Sequence, residues 1–209
     1  MATATNKITV RIIADHTPEN PRTSDVLGMM VCAPGRHNLG DDNAKQYALE
    51  IIYKHLSEKT LEMMHFDPDY LPDVERALQK TEQVILLPLY LYDHGGITMR
   101  TTPFRCPWDS GKVGFIFISK AAARTEFGWK RLTAGRITTL QTYLEGEVET
   151  YDQYLTGDVW GYEVVHDGEV VESCWGFFGH DPIQNGIVDH LSDGAAEVIR
   201  LGKFEHTYQ

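Results

Sequence analysis

Apolar and polar positions alternate along this chain in two distinct periods. Ile8-Thr9-Val10-Arg11-Ile12-Ile13 is β-branched and bounded by Pro18 and Pro21, which predicts a strand. Val26 to Cys32 is a second apolar run. Asp41-Asp42-Asn43 forms an N-cap signal ahead of Ala44 to Leu56, where Ala44, Ala48, Ile51, Ile52 and Leu56 recur at helical spacing. Pro72-Asp73 opens a short helix to Gln79. Val84 to Tyr92 is almost wholly apolar and reads as a buried central strand, although Pro88 argues for a bulge or an edge position. Val113 to Ile118 is a further strand, and Ser119 caps a short helix ending near Gly128.

The clearest period belongs to one long helix, in which Ile137, Leu140, Leu144, Val148, Tyr151 and Leu155 step by three or four before Gly157 ends it. Trp160 to Val165 and Glu169 to Phe177 flank His166-Asp167-Gly168, an Asp-Gly hairpin signal. Ile183, Ile187, Leu191, Ala195 and Val198 line a last helix interrupted by Gly186 and Gly194. Strands fall in neighbouring pairs instead of alternating with helices. The expected class is therefore α+β, a mixed, mostly antiparallel sheet packed by one long and several short helices. The 209 residues fit a single domain spanning 1–209, with room for an acidic C-terminal lobe at 141–209.

Composition narrows the class without naming a function. No run of eighteen apolar residues exists, so no membrane-spanning helix is expected, and Met1 to Lys7 lacks the basic and apolar regions of a secretory signal. Three cysteines cannot build a disulfide framework, which favours reduced thiols. The formal net charge of −11 is unevenly placed. Residues 1–70 net −3, residues 71–140 net +4 and residues 141–209 net −12. The middle third presents Arg100, Arg105, Lys112, Lys120, Arg124, Lys130, Arg131 and Arg136, an arrangement that could steer a charged partner as readily as it keeps the protein in solution.

Three segments hold the candidate chemistry. The first, Pro21-Arg22-Thr23-Ser24-Asp25 and then Cys32-Ala33-Pro34-Gly35-Arg36-His37-Asn38-Leu39-Gly40-Asp41, leads into a helix and could meet an anion with Arg36, or serve only as a loop capped by Asn38 or Asp41. The second places Asp93 and His94 at the exit of an apolar strand, with Cys106 on a loop stiffened by Pro103 and Pro107, followed by Trp108 and Asp109. A thiol, an imidazole and an orienting carboxylate are the minimum set for nucleophilic catalysis, which makes Cys106 the candidate nucleophile, His94 the base and Asp109 the orienting group. A buried structural cysteine is the plainer alternative. A zinc site from Cys106, Cys174 and His94 lacks any close ligand pair, so no metal is assigned. The third segment joins Tyr151-Asp152-Gln153-Tyr154 to the aromatic hairpin carrying Trp160, Tyr162, Trp175, Phe177 and Phe178. Its acids argue against direct phosphate-backbone binding by the last third.

The strings PRTSDVLGMMVC, RHNLGD, LPLYLYDHGGIT, FRCPWDSGKVGFIFISK, YDQYL and ESCWGFFG together resemble an uncharacterised protein family of tailed phages and mobile elements. The resemblance covers about Ile8 to about Leu191, and CPWDSG is its distinctive string. The chain carries Val26 where the family pattern has Asn, His37 where it has Tyr and Gly95 where it often has Ser, which argues against an essential role for His37. The resemblance implies a phage accessory protein of the host bacterial cytoplasm and brings no catalytic residue or cofactor with it.

Two classes of function follow. One is a binding protein that interferes with a host or defence factor. It could use the acidic last third, with Glu145, Glu147, Glu149 and Asp152 along the long helix, against a basic protein surface. It could equally hold a small nucleotide, with Arg36, Asp93 and Arg105 about the polar groups and Trp108 or Trp175 on the base. The other is a small hydrolase or transferase using His94, Cys106 and Asp109. Convergence of these side chains on one place would favour chemistry or a small ligand.

Overall fold

A computed structural model describes Ile8 to Ser24 and Val26 to Thr207. The reading of Met1–Lys7, and Asp25 of the PRTSD string, lie outside the described residues. The chain is α+β and divides into two compact units, Met1–Pro21 with Gln153–Gln209, and Arg22–Asp152. The acidic lobe expected at 141–209 is thus drawn differently. Its boundary falls inside the long helix, and it takes in the first strand of the chain, because that strand lies within its sheet. Composition cannot show such long-range pairing.

In the unit containing both termini, β1 (Ile8–Ala14) pairs antiparallel with β6 (Val159–His166), which pairs antiparallel with β7 (Glu169–Phe178). A short β8 (Glu205–Thr207), absent from the sequence expectations, pairs parallel with β1 on its other side, giving the order β7-β6-β1-β8. The β6–β7 turn has Asp167 and Gly168 at φ +50° and +92°, the left-handed pair that an Asp-Gly hairpin requires. Val10, Ile12, Trp160, Tyr162, Val164 and Phe177 point to one face, where α6 (Ile187–His190) and α7 (Asp193–Arg200) close the core with Ile187, Ala195 and Ile199. The single last helix expected from Ile183 onward is in fact these two. Gly186 precedes the first of them with φ +88°, Ile183 is exposed, and Leu191-Ser192 leave the helical path between them.

The other unit is built on the sheet β2-β5-β3-β4, comprising β2 (Met29–Cys32), β3 (Val84–Asp93), β4 (Ile97–Arg100) and β5 (Ser110–Ser119), all antiparallel. β5 is central and buried on both faces from Gly114 to Ser119. Phe115 and Phe117 turn to the face covered by α1 (Ala44–His55) and α3 (Leu71–Lys80), packing with Ala48, Ile52, Val74 and Leu78. A short α2 (Glu58–Met63), capped by Ser57, links those helices. Pro88 fits both sequence readings. β4 pairs only with Tyr90–Asp93, so the Val84–Leu89 stretch of β3 is an edge on that side, and the register shifts at Leu89/Tyr90. Ser119 caps α4 (Lys120–Glu126), its Oγ accepting from the Ala122 amide at 3.0 Å. α5 (Ala134–Thr156) buries Leu140, Leu144, Val148 and Tyr151, as its period predicts, and Leu144 lies beside Gly28 and Ile116. Among the described residues, no helix is long and apolar enough to cross a membrane.

Candidate functional site

The end of the sheet where β3 stops and β5 begins collects most of the candidate side chains. The β3–β5 ladder extends one step past the strand, since the Asp93 amide donates to the Asp109 carbonyl at 2.8 Å. Between them the chain turns at His94, whose amide donates to the Gly96 carbonyl, runs along β4 and returns through the loop at 101–109. Arg100 fixes that loop: Nε donates to the Thr102 carbonyl at 2.9 Å, Nη2 donates to the Pro103 carbonyl at 2.6 Å, and the guanidinium lies 3.8 Å over the Phe104 ring. Phe104 in turn packs on Tyr92, at 5.7 Å between centroids. Ser110 Oγ donates to the Cys106 carbonyl. Two prolines, a stacked guanidinium and these bonds hold the loop in one shape.

Asp109 is the hub of the cluster. Cys106 Sγ donates to Asp109 Oδ2 at 3.5 Å, and His94 Nδ1 lies 3.6 Å from the same oxygen. The three residues named as candidate nucleophile, base and orienting group therefore do meet, but in an order different from that of a thiol catalytic set. An activating imidazole must sit between thiol and carboxylate so that it takes the thiol proton. Here the carboxylate occupies the middle, the thiol proton points at oxygen, and the His94 side chain is 70% exposed. Beside this trio, Asp93 Oδ2 holds His37 Nε2 at 3.0 Å and lies 3.9 Å from Arg36 Nη1. The loop after β2 thus comes to the same sheet end, and His37 makes a polar contact to Asp93.

Solvent reaches most of this surface. The Arg36 side chain is 82% exposed and Trp108 is 91% exposed, while Arg105 is exposed as well. A cleft of about 440 Å³ runs beside it, lined by Val31 to Leu39 with Asp41, Asp42 and Lys45. Its basic side chains already face acids: Lys45 reaches Asp69 at 3.3 Å, and Arg36 faces Asp93 beside the bond from His37.

Trp175 belongs to β7 in the other unit, where its ring lies over Gly161. A β-carbon at position 161 would come within 2.3 Å of it, so the glycine makes the seat for the indole. Cys174 is on that strand too. Among the described residues no group of three or more His, Cys, Asp or Glu side chains is arranged to hold a metal ion. All three cysteines are free.

A second polar centre, which the sequence reading missed, joins Arg22 of the PRTSD string to Asp41 of the NLGD string. Arg22, its side chain 2% exposed, donates from Nε and Nη2 to the two oxygens of Asp41 at 2.9 and 2.7 Å. Nη1 donates to Glu147 Oε2 at 2.8 Å, and Nη2 also to the Gly28 carbonyl at 2.6 Å. Each carboxylate is completed by backbone donors: Met30 to Asp41 at 2.7 Å, and Leu27 and Gly28 to Glu147 at 2.7 and 3.0 Å. Asp41 therefore serves this lock and does not cap α1, whose N-cap residue Asn43 makes no side-chain cap bond. Burial alone would lower the Arg22 pKa, but bonding and charge from Asp41 and Glu147 outweigh it, and the net direction is upward. The neighbouring Cys32 thiol is pushed up to about 12 by burial first and by the Asp41 charge second. In the other unit Tyr162 is raised by burial and by its 2.7 Å bond to Glu172.

Pairing of the same kind takes further acid off the surface. Asp152 Oδ1 accepts from Thr98 Oγ1 at 2.7 Å and from the Met99 amide at 2.6 Å, tying α5 to β4. Of Glu145, Glu147, Glu149 and Asp152, only Glu145 and Glu149 are exposed. The expected acidic ridge along the long helix is therefore half its apparent strength. A sequence signal existed for this, since Glu147 lies one turn from Leu144 and Tyr151 on the apolar stripe. Compared with known proteins, the chain matches no family model, no curated protein and no solved structure.

Proposed function

We propose that this chain is a non-catalytic binding protein, a phage accessory factor of the host bacterial cytoplasm that engages a host or defence protein through the loop end of the β2-β5-β3-β4 sheet. The observation that carries this reading is Trp108, which stands 91% exposed on a loop locked by Arg100, Phe104 and Ser110. An indole held out in water on a rigid support loses little conformational freedom on association and offers a large apolar anchor. Arg36, His94 and Arg105 around it supply a polar rim. The cluster is open and not enclosed, which favours a protein surface over a small nucleotide. The phage context rests on the resemblance alone. The test is capture from lysate of the phage's host bacterium with wild-type protein, Trp108→Ala and Cys106→Ser. Loss of the captured partner with Trp108→Ala and retention with Cys106→Ser supports the reading. The reverse pattern overturns it.

A second reading has one specific observation behind it, the meeting of Cys106 and His94 on Asp109 Oδ2. A side-chain rotation of Asp109 would let the imidazole approach the thiol and give a small thiol-dependent hydrolase or transferase. Abolition of a hydrolytic activity by Cys106→Ala would establish that reading in place of the first.

A further inference from the structure

The most basic stretch of an acidic protein lies outside the site described above, at the corner between α4 and α5. From Lys120 to Arg136 the chain carries Lys120, Arg124, Lys130, Arg131 and Arg136 against the single acid Glu126. None of the five cations has an ion-pair partner among the described residues, although the protein carries 30 acidic groups.

The corner is built, not frayed. α4 ends in a Schellman motif: the Gly128 amide donates to the Thr125 carbonyl and the Trp129 amide to the Arg124 carbonyl at 3.0 Å. Trp129 stacks on Phe127 at 4.4 Å between centroids, and the Arg136 guanidinium lies 4.9 Å over the indole while donating to the Arg131 carbonyl at 2.7 Å. One cation is thereby fixed in place and orders the backbone that carries two more. The Phe127 ring and the Arg136 guanidinium each lie within 5 Å of the indole.

The charge order along α5 opposes its own dipole. A helix is stabilised by acids in its first turn and bases in its last. α5 has no acid in the first turn and no base in the last, places Arg136 near its N-terminus and carries Glu145, Glu147, Glu149 and Asp152 towards its C-terminus. Local stability does not account for cations here.

The geometry points to a phosphate-binding surface formed by Lys120, Arg124, Lys130, Arg131 and Arg136 that docks on the backbone of duplex nucleic acid without reading sequence. A set of cations without acidic partners, carried on an ordered helix end, is what phosphate contact needs, and such contact carries no sequence information. This surface is independent of Trp108 and its loop.

The test is fluorescence anisotropy of full-length protein with labelled 25-base-pair DNA at 50 and 200 mM salt. Neutralising three to five phosphates gives a log–log salt slope of about −2.7 to −4.5, hence a fall in affinity of roughly 40- to 500-fold between those salt concentrations. The exposed-site variant Arg124→Ala/Lys130→Ala/Arg131→Ala should bind at least tenfold more weakly at 50 mM salt. Its slope should be shallower by about 0.9 for each phosphate no longer neutralised. Lys54→Ala/Lys59→Ala/Lys80→Ala, which removes the same charge from exposed positions elsewhere, should bind like wild type. Two duplexes of unrelated sequence should compete equally, and polyglutamate should not displace them. Absence of binding at 50 mM salt, equal weakening in both triple variants, or displacement by polyglutamate, which would mark an acidic protein as the partner, overturns the proposal.

Discussion

Replacing Arg22 by Met tests the buried lock between the loops and α5. The substitution keeps much of the volume and the apolar stem while removing four donated bonds of 2.6–2.9 Å, two to Asp41, one to Glu147 and one to the Gly28 carbonyl. Asp41 and Glu147, with side chains 13% and 16% exposed, would be left as neighbouring carboxylates supported only by backbone amides. Breaking a buried pair by removing one partner costs about 3–5 kcal/mol, chiefly for the charge left behind. For a chain of this size that corresponds to a fall in Tm of roughly 6–20 °C. The assay is urea unfolding followed by tryptophan fluorescence and by circular dichroism. Arg22→Lys should fall between wild type and Arg22→Met, because an ammonium keeps the charge and loses the fork. Arg22→Met/Asp41→Asn/Glu147→Gln should cost clearly less than the three single changes added together, since the stranded charges are gone. A loss below about 1 kcal/mol for Arg22→Met, or strict additivity in the triple variant, refutes the reasoning.

Three further outcomes follow from the same structure. Stability should fall by about 1.4 kcal/mol per pH unit as pH rises above 9 and while the phenols are still protonated, because the unfolded Cys32 thiol loses its proton when the native one, held up to about 12, does not; Cys32→Ala should flatten that part of the urea-midpoint profile. Asp152→Ala should cost about 2–3 kcal/mol by stranding the amide of Met99, a residue 1% exposed, and should speed hydrogen exchange at that amide first; unchanged exchange there would contradict the role given to Asp152. Trp108→Ala should leave stability within about 0.5 kcal/mol of wild type, as befits a residue 91% exposed, and a loss above about 1 kcal/mol would show that the indole packs internally.

Local physics was legible in the sequence, and long-range pairing was not. The alternating and near-continuous apolar runs predicted β1, β3 and β5, and the three-and-four spacing predicted α1 and α5 with Leu140, Leu144 and Val148 inside. The Asp167-Gly168 turn and the Ser119 cap came from single residues whose chemistry acts within three positions. What stayed hidden depends on partners far along the chain. Glu147 lies 125 residues from Arg22, so a charge count assigned it to the surface when it belongs to a buried lock. β8 has three residues and exists through its pairing with β1. Among the candidate site residues, the proximity of His94 and Asp109 follows from their places at the paired ends of β3 and β5. Their order around Cys106 does not, because it depends on loop geometry fixed by Arg100 and Phe104.

Cys106 Sγ and His94 Nδ1 both lie against Asp109 Oδ2, and the proposed binding role of the loop end rests on this order. The direct measurement is the rate of Cys106 alkylation by iodoacetamide at pH 7, resolved by peptide mass spectrometry, in wild type and in His94→Ala. The same rate is expected in both proteins, since His94 lies 3.6 Å from Asp109 Oδ2 and the thiol is directed at that same oxygen. A rate tenfold or more lower in His94→Ala would show that the imidazole activates the thiol and would contradict a binding role for this surface.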